Sequence, residues 1–369
     1  MTPRSRSVAR PAVLGALTAL AWTVAGTAHP IDPAHAGTQE AADEHARPVD
    51  PAAGMAEITP ALDAAVERGL AFLASQQNPD GSFGDGAWGR GVAVTSLAAL
   101  AFMADGNMPG RGPYGQQVRR AMEYVLARSQ ESGLLADDQA PSPMYGHGFA
   151  TLFLAEVYGM TGADQALEER LHEALVKAVR LIERSQNDEG GWRYNPVPSD
   201  ADTSVTICQV MALRSARNAG LPVSAQVIDD AVAYVRACQN PDGGFRYQSR
   251  PGASAWPRSA AAVATLFYAG RFRDEAIRPG VDYLLREALP GQGLRRGYFY
   301  YGHYYAVQAM YLAGGDAWQT WWPAAREELL AIQDANGAWP DRTVGTAYGT
   351  AMALIVLQMP KRYLPIYQK

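Results

Sequence analysis

The chain has 369 residues, 48% of them hydrophobic, with 32 basic against 37 acidic side chains and a net charge of -5. That is ample apolar material for a buried core. The mild negative charge, with no basic stripe, argues against nucleic acid as a partner.

The N-terminus reads as an export signal. Arg4, Arg6 and Arg10 precede an apolar run from Pro11 to Gly26, and Gly26-Thr27-Ala28 offers a small-residue cleavage site, with Ala34-His35-Ala36 as a second. The run is short for a membrane span. Residues 1–28 are therefore expected to be a signal peptide, a retained anchor being the alternative. Residues 29–55, rich in Ala, Pro, Asp, Glu and His and without period, read as a flexible spacer. The expected location is the periplasm, the extracellular space or the cell envelope, with no transmembrane domain after cleavage.

From residue 56 to 369 one phrase recurs. Gln77-Asn78-Pro79-Asp80-Gly81-Ser82-Phe83 returns as Gln186-Asn187-Asp188-Glu189-Gly190-Gly191-Trp192 and as Gln239-Asn240-Pro241-Asp242-Gly243-Gly244-Phe245. A looser copy is Gln333-Asp334-Ala335-Asn336-Gly337-Ala338-Trp339. Such self-similarity marks a repeat architecture. Before the first copy, Leu62, Val66, Gly69, Leu70 and Leu73 fall at helical spacing, giving one apolar face. Pro79-Asp80-Gly81 is turn chemistry. After it, Val92 to Ala104 is apolar almost all round, so that helix must be covered on most sides. Each unit is thus a hairpin with an outer, then an inner helix.

Two further units lack the Gln phrase. Their inner helices open with Tyr145-Gly146-His147 and Tyr301-Gly302-His303. Units one and four share Asn-Pro-Asp-Gly, two and five share Tyr-Gly-His, and three and six carry Trp at the turn, so a three-hairpin block was duplicated. Six hairpins can stack as an open solenoid or close into a ring. Neither end is distinctly polar, which favours the ring: an all-α toroid of six inner and six outer helices.

These phrases resemble the repeat of the terpenoid cyclase and protein prenyltransferase superfamily, which includes squalene-hopene cyclases. The resemblance covers about Pro60 to Gln358. It implies an α/α toroid whose central cavity holds isoprenoid chains. The cyclase pattern is Asp-x-Asp-Asp-Thr, whose middle aspartic acid gives its proton to an alkene. The nearest match is Asp200-Ala201-Asp202-Thr203, one aspartate short. The candidate catalytic residues are Asp202, Asp200 and His147, with His147 as a partner that could pair with Asp202. The alternative is capping, with Asp200, Asp202 or Thr203 accepting bonds from first-turn amides and each histidine capping its helix or bonding a loop carbonyl.

The prenyltransferase zinc pattern is not reproduced, since Cys208 lies six residues after Asp202 and points away from it. Nor do His147 and His303 suit a shared metal. Opposite axes of a six-helix ring stand roughly 20 Å apart at about 8–10 Å per packed pair. No metal or cofactor is expected. Cys208 and Cys238 are either a disulfide or two buried thiols.

Aligning the inner helices places His147, Asp202, His303 and Thr346 at one level, a polar rim. Tyr145, Tyr301, Tyr304 and Tyr305, with His303 and Thr346, are the candidate cavity wall, where aromatic faces could attract a carbocation. Phe83, Trp192, Phe245 and Trp339 read as packing between hairpins; Trp88 and Trp256 stand at comparable turns. The expectation is a monomer that binds a hydrophobic small molecule or lipid of isoprenoid type, with acid-initiated cyclase-type chemistry as the enzymatic reading. If an enzyme, it would be terpene cyclase-like (an isomerase or lyase) or prenyltransferase-like. The alternative is a non-catalytic binding or structural protein of the cell envelope.

Overall fold

Twelve α-helices run through the described residues of the computed structural model, paired as six hairpins. The description covers residues 57–368 except 85–90, 139, 163 and 292–297, so the expected signal peptide, the spacer and Trp88 lie outside it. The hairpins are α1 (Pro60–Ser75) with α2 (Val92–Met103), α3 (Gly115–Leu126) with α4 (Pro143–Val157), and α5 (Gln165–Arg184) with α6 (Thr203–Asn218). They continue as α7 (Ala225–Ala237) with α8 (Trp256–Tyr268), α9 (Ile277–Glu287) with α10 (Phe299–Ala313), and α11 (Gly315–Ala331) with α12 (Thr346–Leu357). No described helix is long and apolar enough to cross a membrane.

The even-numbered helices form the inner layer. Each packs on the next, and α12 returns to α2. In the outer layer α11 likewise meets α1. The ring is closed. The inner helices are short of polar residues because both their sides are covered: α2 buries Val92, Val94 to Met103 and everything between. Outer helices bury one stripe, as α1 does with Leu62, Ala65, Val66, Gly69, Leu70 and Leu73.

The recurring Gln phrase explains how hairpins are joined. Each Gln side-chain amide donates twice, once to its own turn and once to the next outer helix. Gln77 reaches Gly81 O at 3.0 Å and Gln117 O at 2.9 Å. Gln186 bonds Gly190 O and Val227 O, both at 2.8 Å. Gln239 bonds Gly243 O and Ala276 O. Gln333 bonds Gly337 O at 3.1 Å and Ala65 O at 2.8 Å, which ties the last hairpin to the first. The glycine of the phrase is required on two counts. Gly337 has φ +91°, and a Cβ there would stand 2.4 Å from the backbone oxygen of Arg68. The turn aromatics Phe83, Trp192, Phe245 and Trp339 are fully buried between layers. Trp192 and Trp339 also donate from Nε1 to Ile182 O and Leu329 O, both at 2.8 Å.

Past α12 the chain makes two single 3-10 turns, Met359–Lys361 and Pro365–Tyr367. The second packs against α6, with Ile366 and Tyr367 buried. It closes the end of the barrel where the inner helices finish.

Candidate functional site

Asp202 is the N-cap of α6 and its side chain is wholly buried. Its Oδ1 accepts from Ser204 N at 2.8 Å and Val205 N at 2.9 Å. Capping therefore uses one oxygen. Oδ2 faces the other way, accepting from the Tyr247 hydroxyl at 3.1 Å, with Arg193 Nε 3.8 Å off. Burial pushes the carboxyl up to about 6, against the pull of the two amides, Tyr247 and Arg193. Among the described residues, no other inner helix is capped by the side chain of its own N-cap residue; α2 is capped from elsewhere, Val92 N donating to Asp137 Oδ2 at 2.8 Å. Asp200 stands on the rim, partly exposed, paired with Arg193 and bonded by Gln248 at 2.9 Å.

Around Asp202, at the end where the inner helices begin, tyrosines gather. Tyr247 and Tyr194 hydrogen-bond through their hydroxyls, and the Tyr194 ring lies 6.1 Å from Tyr145. The Arg193 guanidinium stands 5.0 Å from the Tyr194 ring centroid and 5.8 Å from that of Tyr247. Tyr301, on α10, donates to Ser204 O on α6 at 3.2 Å. Tyr145, Tyr194, Tyr247, Tyr301 and Tyr348 are each partly exposed here. They make an aromatic mouth with a single buried carboxyl in its wall. Thr346 opens α12, half-buried.

One turn deeper the axis is crossed again. Tyr305 brings its hydroxyl within 3.3 Å of Cys208 Sγ, and its ring is 4.8 Å from both Tyr301 and Tyr304. Tyr304 meets Phe149 of the opposite helix α4 edge-on at 6.0 Å. Tyr304 and Tyr305 are fully buried, so they lie beneath the mouth rather than lining its open part. Cys208 and Cys238 are free, buried thiols. Burial raises Cys208 to about 12, which leaves it an inert apolar neighbour.

The histidines stand apart from this cluster. His147 Nδ1 accepts from Leu135 N at 3.1 Å and its Nε2 lies 3.3 Å from Ala178 O of the outer helix α5. It does not pair with Asp202. Burial lowers it to about 4, so it is a neutral ring with Nε2 protonated. Its true counterparts are hydroxyls. Thr95, Thr206, Ser259 and Thr350 accept in the same way from Phe83 N, Trp192 N, Phe245 N and Trp339 N. His147 thus matches Thr206, one turn below Asp202, and faces the outer layer. His303 also faces outward, against Phe299 at 4.4 Å, Trp256 at 5.2 Å and Trp321 at 5.6 Å, with Glu328 3.9 Å from Nε2. The expected rim of His147, Asp202, His303 and Thr346 at one level is not formed.

Three residues beside Asp202 escape the sequence reading: Arg193, Tyr194 and Tyr247. Their signal is a second repeat. Trp192-Arg193-Tyr194 and Phe245-Arg246-Tyr247 follow two consecutive Gly-Gly turns. Thr203 N donates to Tyr247 O at 2.9 Å, and this brings the second tyrosine onto the acid.

The toroid, its Gln-braced turns and the capped acid at its mouth define a class. The family described as prenyltransferase alpha-alpha toroid domain matches residues 31–165 and 144–294, and the chain belongs to it. Drimenyl diphosphate synthase of Streptomyces showdoensis is 29% identical over 192 residues, 51% of this chain and 32% of that protein. The enzyme of the same name from Streptantibioticus cattleyicolor is 30% identical over 189 residues, with the same coverage. The chain thus spans about a third of the length of the curated relatives it matches. Among solved structures, the type II terpene cyclase MstE from Scytonema is similar over 83% of this chain and 100% of its own, with TM-score 0.55 and 16% identity. A variant of it in complex with geranylgeranyl dihydroxybenzoate matches equally well, at 0.55 and 17%, over 82% of this chain and 98% of that one. An alpha-1,6-mannanase from Salegentibacter reaches 0.59 at 8% identity, over 82% and 99%. At such identities these likenesses speak for the fold alone, and function rests on the site.

Proposed function

We propose that the chain binds an isoprenoid-like hydrophobic ligand at the aromatic mouth and that Asp202 starts a cyclisation by protonating one of its alkenes. The observation that carries this is the division of labour on one carboxyl. Oδ1 is held by the helix, while Oδ2 faces the tyrosines. Burial keeps the acid protonated at mildly acidic pH. When the proton leaves for the alkene carbon, Ser204 N, Val205 N, Tyr247 and Arg193 stabilise the carboxylate left behind. The carbocation formed is attacked by the next alkene of the same chain. The faces of Tyr145, Tyr194, Tyr247 and Tyr301 attract the positive charge. A final proton loss to water ends the sequence and solvent returns a proton to Asp202, so the net reaction is an isomerisation and needs no cofactor. The names of the relatives, two diphosphate synthases and a type II terpene cyclase, support this reading of the ligand class.

A second reading is a non-catalytic envelope binding or structural protein. It is favoured by the shortened acid motif, where Thr203 follows Asp202, and by the filled axis below the mouth. Export belongs to both readings and rests on the N-terminal run alone; N-terminal sequencing of the protein recovered from its host tests it.

Asp202→Asn separates the two. Asparagine caps a helix about as well as aspartate, so the fold survives while the proton is gone. Incubated with geranylgeraniol or farnesyl diphosphate and assayed for cyclic products, the wild type is expected to turn over and the variant to lose at least about 100-fold. A wild type that binds these compounds but forms no cyclic product overturns the enzymatic reading and leaves the binding one.

A further inference from the structure

We infer that residues 364–367, beyond α12, form a releasable strap seated in the far end of the barrel, with Glu156 as the latch that holds it; this goes beyond the reading of the mouth and does not depend on it. The segment divides at Arg362. Before that residue the chain is tied to the ring, Gln358 Nε2 donating to Ala101 O at 3.0 Å and Lys361 Nζ to Asp105 Oδ1 at 2.6 Å. Arg362 has φ +54°, in the left-handed region that a non-glycine residue seldom adopts. Tyr363 is exposed, and the chain then buries Leu364, Ile366 and Tyr367. The ring does not need these residues to close, since α12 already packs on α2 and α11 on α1.

The seat is built from the inner helices. Glu156 of α4 follows Phe149, which meets Tyr304 across the axis, by about two turns on the same face. Ser215 of α6 donates to its Oε1, and Ile366 N to its Oε2 at 3.1 Å. Beside this pair Tyr268 of α8 donates to Gln308 of α10. The Tyr367 side chain lies among Tyr304, Tyr268 and Glu156. Two further backbone bonds stay within the strap, Tyr367 N to Leu364 O and Gln368 N to Pro365 O, both at 3.0 Å. The groups facing Glu156 are thus Ser215, Tyr268, Tyr304, Ile366 and Tyr367. Arg214 acts on Tyr268, and α5 presents His172 to Tyr158 instead. Ser215 and Ile366 N favour the carboxylate, but burial outweighs them and pushes the acid up to about 7. With the strap withdrawn, the carboxyl meets water and returns toward 4.5. Closure is therefore complete below that open value and weakens as pH rises to the closed one, where the loss levels off.

Hydrogen exchange of the full chain tests this, read by mass spectrometry on peptides from the strap and from α12. Each rate is divided by the intrinsic rate of a free amide at the same pH. In wild type the strap amides are expected to lose protection at least about tenfold between pH 5 and pH 7.5, while those of α12 stay protected. In Glu156→Gln the amide accepts from Ile366 N, donates to the Ser215 hydroxyl and does not ionise. Its strap protection should change by less than about twofold over the same range. Tyr367→Ala leaves Glu156 in place and empties part of the seat. It should speed strap exchange at pH 5 by at least about tenfold without moving α12, a measurement that stands even if Glu156→Gln fails to fold. A strap as protected as α12 at every pH, or a pH dependence that survives in Glu156→Gln, overturns the latch. Strap and α12 amides that open together in wild type or in Tyr367→Ala overturn the strap itself, because the barrel would then open as one unit.

Discussion

Asp202 and Glu156 are buried carboxyls at opposite ends of the same barrel, and they are not alike. Asp202 sits where the inner helices begin. One oxygen is spent on the helix and one meets a tyrosine in a partly open aromatic mouth. Glu156 sits near the end of α4. Its Oε1 accepts from Ser215, and its Oε2 from Ile366 N at 3.1 Å. Tyr367 and Ile366 seal it from outside. Burial raises both acids, Asp202 to about 6 and Glu156 to about 7. A perturbed carboxyl is thus not in itself a site. What separates these two is what the second oxygen meets. Asp202 Oδ2 meets a tyrosine hydroxyl of the partly exposed aromatic mouth; Glu156 Oε2 fastens the 3-10 turn that closes the barrel.

The comparison is broken most directly by substitution. Asp202→Asn should remove turnover by at least about 100-fold, whereas Glu156→Gln, of equal size, should leave product formation within about twofold of wild type. Equal losses in both would mean that the barrel needs both acids for folding and that Asp202 has no special place. Glu156→Gln should instead act on stability. A buried carboxyl raised from 4.5 to about 7 opposes folding once it must ionise, by up to about 3 kcal/mol at 1.36 kcal/mol per pKa unit. At pH 8 the amide variant should melt several degrees above wild type in a thermal scan.

The pH profile sharpens the same point. Both acids have folded values above their unfolded ones, 3.8 for Asp202 and 4.5 for Glu156. Their protonated forms are therefore favoured by folding. The stability they confer is complete below those unfolded values and is lost as pH rises through the folded ones. The melting temperature of wild type should fall from about pH 4.5 to about pH 7. Glu156→Gln should remove the later part of that fall and Asp202→Asn the earlier. A profile flat over this window in wild type would show that neither group is desolvated as the packing implies.

How much of this was readable beforehand follows from which signals are periodic. Six hairpins, inner and outer layers and ring closure are all written in repeats: the Gln phrase contacts the next hairpin by the same bond each time. Asp202 was legible because acids before an apolar helix are caps. The histidines were misplaced because Tyr-Gly-His was set level with Asp202. The physical equivalence is to Thr206, through a hydrogen bond to the backbone after the turn, and an imidazole and a hydroxyl do not look alike in a sequence. Tyr304 and Tyr305 were recognised as facing inward, but depth along the axis depends on packing. Tyr247 reaches Asp202 from the following hairpin, a contact set by the crossing of two units and by no spacing within one.

The smallest effect concerns that tyrosine. Tyr247→Phe deletes one hydroxyl and keeps the ring. The Tyr247 hydroxyl donates to Asp202 Oδ2 and so favours the carboxylate. Without it the acid should hold its proton to higher pH. Activity that depends on protonated Asp202 should fall with rising pH in wild type, with a midpoint near 6. In the variant that limb should move upward by less than about one unit. The maximal rate should also drop by several-fold, because the conjugate base loses one of its donors. Both changes have a defined sign, and they oppose each other at neutral pH. A full pH profile therefore reads what a single rate would hide. A limb that moves to lower pH, or does not move, would mean that Tyr247 packs against Asp202 without tuning it, and the difference between the two ends of the barrel would then rest on exposure alone.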